Sequence, residues 1–327
     1  MDRNKSIDGL KYILIVLVVL GHFIEPSRYS NEVICRLYSV IYSFHMPLFV
    51  FLSGYFYKWR NIKSEWSKCL PLLEVCAISH IGFALIRDHS LNFMNMLSFG
   101  LTPAWYLLSF ITWRLFTSVF MHKVGAEKMF LYSIIASIIS FVVISKYGGL
   151  FSIMRTFQFY PYFMLGFVIK EKNYDIFKHK SVIVMLGLLS FFLILYTSCR
   201  FQHLVFFQRD GLLYLARLSE KGLFYTMCYR YIHIISGIFI GAAVYVMFCK
   251  NLFIQKFARF GQGTLFIYFG QTLLYPFVIR HFGDIIPSLI AFISTTIVLT
   301  YLSTKPISKV LMNPIYTVST KIKKRHS

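Results

Sequence analysis

The sequence predicts an all-α membrane protein of about ten transmembrane helices, with both termini in the cytoplasm. Of its 327 residues, 57% are hydrophobic and 14% are charged, and its mean hydropathy is +0.62. A soluble domain averages about 25% charged residues, so this chain has too few polar side chains to cover a soluble core. Apolar stretches recur along the whole chain, and basic residues are concentrated between them.

Ten apolar stretches are long enough to cross a bilayer as helices, since a crossing takes about 20 residues. The predicted spans lie near residues 11–28, 38–57, 70–87, 101–121, 129–145, 150–169, 181–198, 230–249, 262–280 and 286–303. We expect a single membrane domain over residues 1–327, ending in a basic cytoplasmic tail over residues 304–327.

Lysine and arginine residues between the spans predict the orientation. With the N-terminus inside, the inner segments hold 22 of these residues and the outer segments hold 10. Cytoplasmic loops carry an excess of Lys and Arg, so this alternation favours ten spans. The net charge of +21 therefore indicates loops held at an anionic membrane face, and not a nucleic-acid-binding protein. The lipid bilayer is the expected partner, and the oligomeric state stays open.

The longest outer segment, residues 199–229, mixes aromatic and charged residues. A long loop with apolar content can cover a site as a lid or re-enter the membrane. It can equally be an amphipathic segment that lies at the membrane interface. The sequence does not separate these two alternatives.

Ionisable residues in the first span mark a candidate site, because charge inside a membrane is costly. Lys11 and His22 are eleven residues apart. At about 100° per residue, this separation is about 20° past three full turns, so both residues lie on one helix face. His22 is then about 16 Å above Lys11, near the middle of the membrane. Taken alone, His22 is explained equally well as a hydrogen-bonded packing residue.

A second histidine, His45, is predicted at a similar depth. It lies twelve residues before Tyr57, at the inner end of the second span, and so about 18 Å above the inner face. Pro47 removes a backbone donor close to His45 and can kink the helix or free a carbonyl group. Two imidazoles at one depth suit proton transfer, because histidine titrates near neutral pH. The alternative is two unrelated packing histidines.

Several sequence blocks resemble the acyltransferase family 3 membrane proteins, which include bacterial O-acetyltransferases of surface polysaccharides and a fucose-acetylase-like group. The two most specific blocks are I-D-G-L-K followed by V-V-L-G-H, over residues 7–22, and F-H-M-P-L-F-V-F-L-S-G-Y-F, over residues 44–56. Weaker blocks follow in order at residues 103–108, 159–166 and 263–268. The chain departs from the family in having Gln271 where a histidine often occurs, and in lacking a clean R-x-x-R after the second helix.

This resemblance implies acyl transfer, most often of acetyl from acetyl-CoA on the cytoplasmic side to a sugar hydroxyl on the outer side. His22 would be the general base for that hydroxyl or a transient carrier of the acyl group, and both roles stay open. His45 would orient the acceptor or share the proton. The expected contacts of the CoA phosphates are basic residues of the inner face: Lys11, Lys58, Arg60 and Lys68. Lys11 could instead stabilise charge from below His22. Acetyl-CoA is expected as a co-substrate, with no permanently bound cofactor and no metal, since no ligand set is visible.

Five further residues are candidates for contact with the saccharide acceptor. They are Glu25, Ser53, Trp105, Tyr106 and Arg155. Glu25, three residues after His22, could also orient that histidine or be a solvated loop carboxylate, and the two aromatic residues could be anchors at the membrane interface. Arg155 lies within the sixth span, where it is expected to face the bundle and pair with a carbonyl group or a ligand phosphate.

Two other classes of membrane protein share some of these features. A transporter or flippase for a glycan or lipid would also have many spans, a basic inner face and buried histidines. It would be favoured by inverted repeats with broken helices in both halves, whereas this sequence has breaks only around Pro47 and Pro161 and no matching halves. A polysaccharide polymerase or ligase would have a much larger basic outer loop. We therefore expect a saccharide O-acyltransferase of a bacterial inner membrane.

Overall fold

The computed structural model describes residues 4–88, 93–144, 149–198, 209–218, 220, 222–281, 284–306 and 308. Within these residues every regular element is a helix, and each of the ten predicted spans overlaps a helix of 18 residues or more. The long helices are α1 (Lys5–Ile24), α2 (Glu32–Tyr55), α3 (Ile62–Asp88), α5 (Trp105–Val124), α6 (Ala126–Val143), α7 (Ile153–Glu171), α8 (Lys180–Thr197), α10 (Leu223–Phe248), α13 (Thr264–His281) and α14 (Ile285–Ser303). The short helices are α4 (Phe93–Leu97), α9 (Leu212–Leu218), α11 (Leu252–Gln255) and α12 (Ala258–Gly261).

Seven helices of the described chain are long and apolar enough to cross a membrane: α1, α2, α3, α6, α8 with its preceding turn, α10 and α14. In α13, a shorter apolar stretch covers Thr264–Val278. The protein is therefore an all-α, multi-pass membrane protein, as the composition predicts. The ten crossings and the cytoplasmic position of both ends stay predictions. The predicted tail lies outside the described residues beyond residue 308.

Helix boundaries differ from the predicted spans where polar turns extend an apolar helix. Helix α1 begins at Lys5, six residues before the predicted span, because the Asn4 side chain caps it by accepting a hydrogen bond from the backbone N–H of Ile7 (3.2 Å). Helix α10 begins at Leu223 and not at 230, and so takes in the end of the predicted outer segment. Residues 199–208, 219 and 221 of that segment lie outside the described residues, so its two alternatives stay open.

Contacts between the helices divide the chain into two compact units. The first unit is Met1–Val50, Asn173–Phe207 and Leu212–Thr304, and the second is Phe51–Lys172, Gln208–Gly211 and Lys305–Ser327. The expected organisation of residues 1–327 as one domain is not tested by this division and stays a prediction.

In the first unit, α1 packs against α11, α12, α13 and α14, while α8 packs against α10. Near the N-terminal end of α1, the Tyr12 ring stacks on Phe257 with centroids 5.9 Å apart, and the Tyr12 hydroxyl is 3.1 Å from the Thr300 hydroxyl. Together with the packing of α1 on α11, α12, α13 and α14, these contacts hold α1 within its unit.

The second unit is built around α5, α6 and α7, with α3 packed on α5. Aromatic residues of α5 and α7 fill its interior: Trp113 lies against Phe163, and its indole N–H donates to the carbonyl of Thr156 (2.8 Å). Close backbone approach adds to this packing. A Cβ added at Gly54 would lie 1.8 Å from the carbonyl oxygen of Phe163, so α2 and α7 can meet there only through glycine.

Candidate active site

His22 lies in the last turn of α1 and is held by two residues of α13. Its Nδ1 is 2.9 Å from Oε1 of Gln271, and its ring stacks on the ring of Tyr275 with centroids 4.5 Å apart. Gln271 and Tyr275 are four residues apart, so both project from one face of α13. Gln271 is fully buried, which places a polar amide and a polar imidazole together inside an apolar bundle.

Glu25 joins this arrangement through Tyr275. It ends α1 three residues after His22, and its Oε2 accepts a hydrogen bond from the Tyr275 hydroxyl (2.8 Å). The Tyr275 side chain therefore links Glu25 to His22: its hydroxyl bonds to the carboxylate, and its ring stacks on the imidazole. This contact argues against a solvated loop carboxylate at Glu25.

A buried arginine lies beside these residues. Arg28 is 2% exposed, and its guanidinium carbon is 4.4 Å from the ring centroid of Tyr29 and 4.7 Å from that of Tyr38. Tyr38 in turn stacks on Tyr42 with centroids 3.9 Å apart. In the sequence, Arg28 is one of the ten basic residues of the predicted outer segments. Its position three residues after Glu25 was the available signal that it belongs with a site.

His45 is the second predicted histidine, and it is 3% exposed. Its Nδ1 is 2.6 Å from the carbonyl oxygen of Ile41, so Nδ1 carries the proton that this bond requires. The Tyr42 ring meets the His45 ring edge-on with centroids 4.9 Å apart, and a Cβ added at Gly21, the residue before His22, would lie 2.7 Å from the same Tyr42 ring. The two histidines therefore lie in one neighbourhood of the first unit.

Pro47 frees the carbonyl of Ser43, four residues earlier, from the hydrogen-bonding pattern of α2. That carbonyl lies against α10: a Cβ added at Gly237 would be 2.1 Å from its oxygen. Helix α2 stays continuous through Pro47. The freed carbonyl thus marks a close contact of two helices next to His45.

We call these residues the His22 cluster. Its members are His22, Glu25, Arg28, Tyr38, Tyr42, His45, Gln271 and Tyr275. The cluster combines a proton-accepting imidazole with a carboxylate, a cation and tyrosine rings, which can bind and deprotonate a hydroxyl-bearing ligand. In the described part of the chain, no group of three or more His, Cys, Asp or Glu side chains could hold a metal ion.

Lys11 lies on the same helix as His22, toward the N-terminal end. Its Nζ is 3.8 Å from a carboxylate oxygen of Asp8, and its side chain is 29% exposed. Lys11 therefore forms an ion pair within α1, and part of its side chain stays exposed near the start of that helix.

Four acceptor candidates belong to the second unit, where they form two pairs. The hydroxyls of Ser53 and Tyr106 are 2.8 Å apart, and the guanidinium carbon of Arg155 is 4.8 Å from the Trp105 ring centroid. Trp105 is 7% exposed and Tyr106 is 9% exposed. Interfacial anchors face lipid, so the burial of these two rings favours an interior role.

The remaining donor candidates also belong to the second unit. Lys58 and Lys68 are exposed. Arg60 donates to the carbonyl of Lys58 (3.2 Å), and its Nη1 is 3.9 Å from Glu65. Glu65 is fully buried and accepts a hydrogen bond from Nε of Arg114 (2.5 Å). Glu65 is not among the site residues predicted from the sequence, although an arginine inside a span requires a buried partner.

The fold and the cluster together define a multi-pass membrane protein with a histidine-centred polar site. The chain matches a family model described as an acyltransferase domain over residues 4–305. It therefore belongs to the acyltransferase family 3, as the sequence blocks indicated.

Two curated relatives are each named nodulation protein NolL. The protein of Sinorhizobium fredii is 28% identical over 207 residues, which cover 56% of this chain and 54% of the relative. The protein of Mesorhizobium japonicum is 25% identical over 211 residues, which cover 57% of this chain and 54% of the relative. The chain thus spans about half the length of the curated relatives it matches. No solved structure matches the chain.

Proposed function

We propose that the protein is a membrane O-acyltransferase that moves an acyl group to a hydroxyl of a cell-surface polysaccharide sugar. The simplest donor is acetyl-CoA, and the expected location is the inner cell membrane of a bacterium. Family membership supports the reaction class. The observation that carries the proposal is His22 inside a membrane helix, oriented by Gln271 and stacked on Tyr275. Such an imidazole is suited to take a proton from a bound hydroxyl.

In the proposed reaction, His22 takes the proton of the acceptor hydroxyl while the hydroxyl oxygen attacks the carbonyl carbon of the thioester. The new C–O bond forms the ester, the C–S bond breaks, and the departing CoA thiolate takes the proton back from His22. His45 orients the acceptor or shares the proton. General-base catalysis of this kind contributes roughly 10²- to 10⁴-fold to the rate.

The alternative role of His22 is covalent. Its imidazole nitrogen would attack the thioester and release CoA, and the acceptor hydroxyl would then attack the acyl-imidazole. The net reaction is the same. The two routes differ in order, because only the covalent route cleaves acetyl-CoA once per protein molecule without an acceptor.

Donor binding is assigned to the basic residues of the predicted inner face. Phosphate groups are bound by Lys and Arg through charge. The exposure of Lys58 and Lys68 supports contact with a soluble donor. Lys11 and Arg60 are proposed as additional contacts, and both already have a carboxylate nearby.

The residues that we propose for contact with the acceptor are Glu25, Ser53, Trp105, Tyr106 and Arg155. Aromatic faces pack against sugar rings, and carboxylate, hydroxyl and guanidinium groups hydrogen-bond to sugar hydroxyls. The burial of Trp105 and Tyr106 supports an interior position of this kind.

The test is the ester-linked acetyl content of surface glycan in a deletion strain that carries the wild-type gene, His22→Ala or His281→Ala. His281 is an exposed histidine at the end of α13, and its Nδ1 bonds only to its own helix among the contacts described, at the carbonyl of Phe277 (2.9 Å). All three proteins are checked for equal abundance in the membrane. We expect wild type and His281→Ala to restore the acetyl ester, and His22→Ala to fail.

Equal restoration by His22→Ala would contradict the assigned role of His22. No acetyl ester with any of the three genes would contradict acetyl transfer to surface glycan, and would favour the transporter alternative or another acyl group.

A further inference from the structure

Gln271 occupies the position where the family often has a histidine, and its contacts give it a defined role. It is fully buried, as is Thr272, the next residue of α13. Its Oε1 is 2.9 Å from Nδ1 of His22, and its Nε2 donates to the hydroxyl of Thr272 (3.1 Å). The single amide therefore joins α1 to a hydroxyl within α13.

The direction of each hydrogen bond in this chain follows from the number of protons available. The Thr272 hydroxyl donates its one proton to the carbonyl of Tyr268 (2.8 Å), so toward Gln271 it can only accept. The Gln271 side chain must then present its NH₂ group to Thr272 and its carbonyl oxygen to His22. The opposite amide orientation would leave two oxygens facing each other with no proton between them.

An amide oxygen has no proton to give, so Nδ1 of His22 must be the donor in the bond to Gln271. A neutral imidazole with its proton on Nδ1 has its basic lone pair on Nε2, at the other end of the ring. The stacked Tyr275 ring limits rotation of the imidazole. The bonds along α13 therefore select which nitrogen of His22 is the base.

We propose that Gln271 is a positioning residue that holds His22 in the Nδ1–H tautomer and so makes Nε2 the nitrogen that receives the proton of the acceptor hydroxyl. The catalytic part of this inference rests on the proposed function, whereas the tautomer itself does not. A neutral amide suits this place, because it directs the imidazole without burying a second charge in the membrane.

The first readout is the nitrogen resonances of the histidine rings in ¹⁵N-histidine-labelled protein in lipid, at a pH where His22 is neutral. The His22 signals are identified by their loss in His22→Ala. We expect a protonated-type resonance for Nδ1 and an unprotonated-type resonance for Nε2 in wild type. A proton on Nε2 in the wild-type spectrum would overturn the proposal, whatever the variants do.

Three substitutions extend the test. Gln271→Glu keeps an acceptor oxygen for Nδ1, Gln271→Leu removes it, and Gln262→Leu is the control at an exposed glutamine. We expect the Nδ1–H tautomer in Gln271→Glu and in the control, and a shift toward Nε2–H in Gln271→Leu. An unchanged tautomer in Gln271→Leu would overturn the proposal.

Acyl-transfer kinetics form the second readout. We expect Gln271→Leu to lower kcat at least about 100-fold with little change in KM for the donor, since a base in the wrong tautomer loses most of its contribution. Gln271→Glu should recover activity to within about tenfold of wild type, because its oxygen can accept the same proton.

The two readouts separate failure of the proposed function from failure of this inference. A tautomer that depends on Gln271 in a protein without acyl transfer would refute the function and leave the positioning role intact. Acyl transfer with a tautomer that does not depend on Gln271 would refute the positioning role alone.

Discussion

The ion pair of Glu65 and Arg114 allows a stability prediction that can be worked out from the structure. Glu65 is fully buried, the Arg114 side chain is 11% exposed, and their hydrogen-bonded atoms are 2.5 Å apart. The substitution Arg114→Met keeps an unbranched apolar stem and removes the guanidinium group with its charge. It leaves a buried carboxylate with Arg60, 3.9 Å away and 32% exposed, as its remaining cation.

Removing one partner of a buried ion pair costs about 3–5 kcal/mol, because the other charge is left desolvated. Arg60 can move closer and offset part of this, so we expect about 3 kcal/mol for Arg114→Met. In the double variant with Glu65→Gln both charges of the pair are removed. Replacing a buried ion pair by uncharged groups often changes the free energy of unfolding little. The double variant should therefore be more stable than Arg114→Met by about 2 kcal/mol.

The assay is the midpoint of thermal unfolding in detergent, with Arg217→Met as the control at an exposed arginine. At roughly 2–4 °C per kcal/mol, Arg114→Met should lower the midpoint by roughly 6–12 °C. The double variant should regain more than half of this loss, and the control should stay within about 2 °C of wild type. A double variant that unfolds at or below the midpoint of Arg114→Met would refute the reasoning.

Three further predictions concern the site and its support. Tyr275→Phe removes the hydrogen bond to Glu25 but keeps the ring on His22, so acyl transfer should fall about tenfold, equal to about 1.4 kcal/mol for one charge-assisted bond; an unchanged rate would show that this bond is not used. Gly237→Ala places a Cβ 2.1 Å from a carbonyl oxygen of α2 and should lower the midpoint of thermal unfolding. The control Gly241→Ala, whose added Cβ has its nearest atom at 3.6 Å, should be tolerated. Equal unfolding midpoints of the two variants would contradict the close packing of α2 on α10. Lys68→Ala should raise KM for acetyl-CoA a few-fold with kcat unchanged, and this effect should be largest at low salt. A KM that responds neither to the substitution nor to salt would contradict a role of Lys68 in donor binding.

Much of the helical architecture follows from the sequence, because a helix that crosses a membrane needs a long apolar run. Each predicted span overlaps a long helix, and the errors lie at the ends. Helices α1 and α10 begin earlier than their apolar runs, since polar residues such as those near Asn4 form capped helical turns that hydropathy does not register. The division of the chain into two compact units could not be predicted from the sequence, because it depends on contacts between helices that are distant in the chain.

For the site, helix geometry predicted His22 and His45 as a pair at similar depth, but it could not identify the residues that contact them. Gln271 and His22 are 249 residues apart, and only the packing of α13 on α1 brings them into contact. Gln271 was visible in the sequence as a departure from the family, and its hydrogen bond explains how a glutamine can serve there. Arg28 was missed because its charge alone suggests a loop.

The central claim is that His22 receives the proton of the acceptor hydroxyl. The most direct measurement is the rate of acetyl transfer from labelled acetyl-CoA to a saccharide acceptor by purified protein in lipid vesicles, comparing wild type with His22→Gln and His281→Ala at equal folded fraction. The account predicts a loss of at least about 100-fold for His22→Gln and no loss for His281→Ala. A loss of less than about tenfold for His22→Gln would contradict the claim, because an essential general base cannot be replaced by an amide.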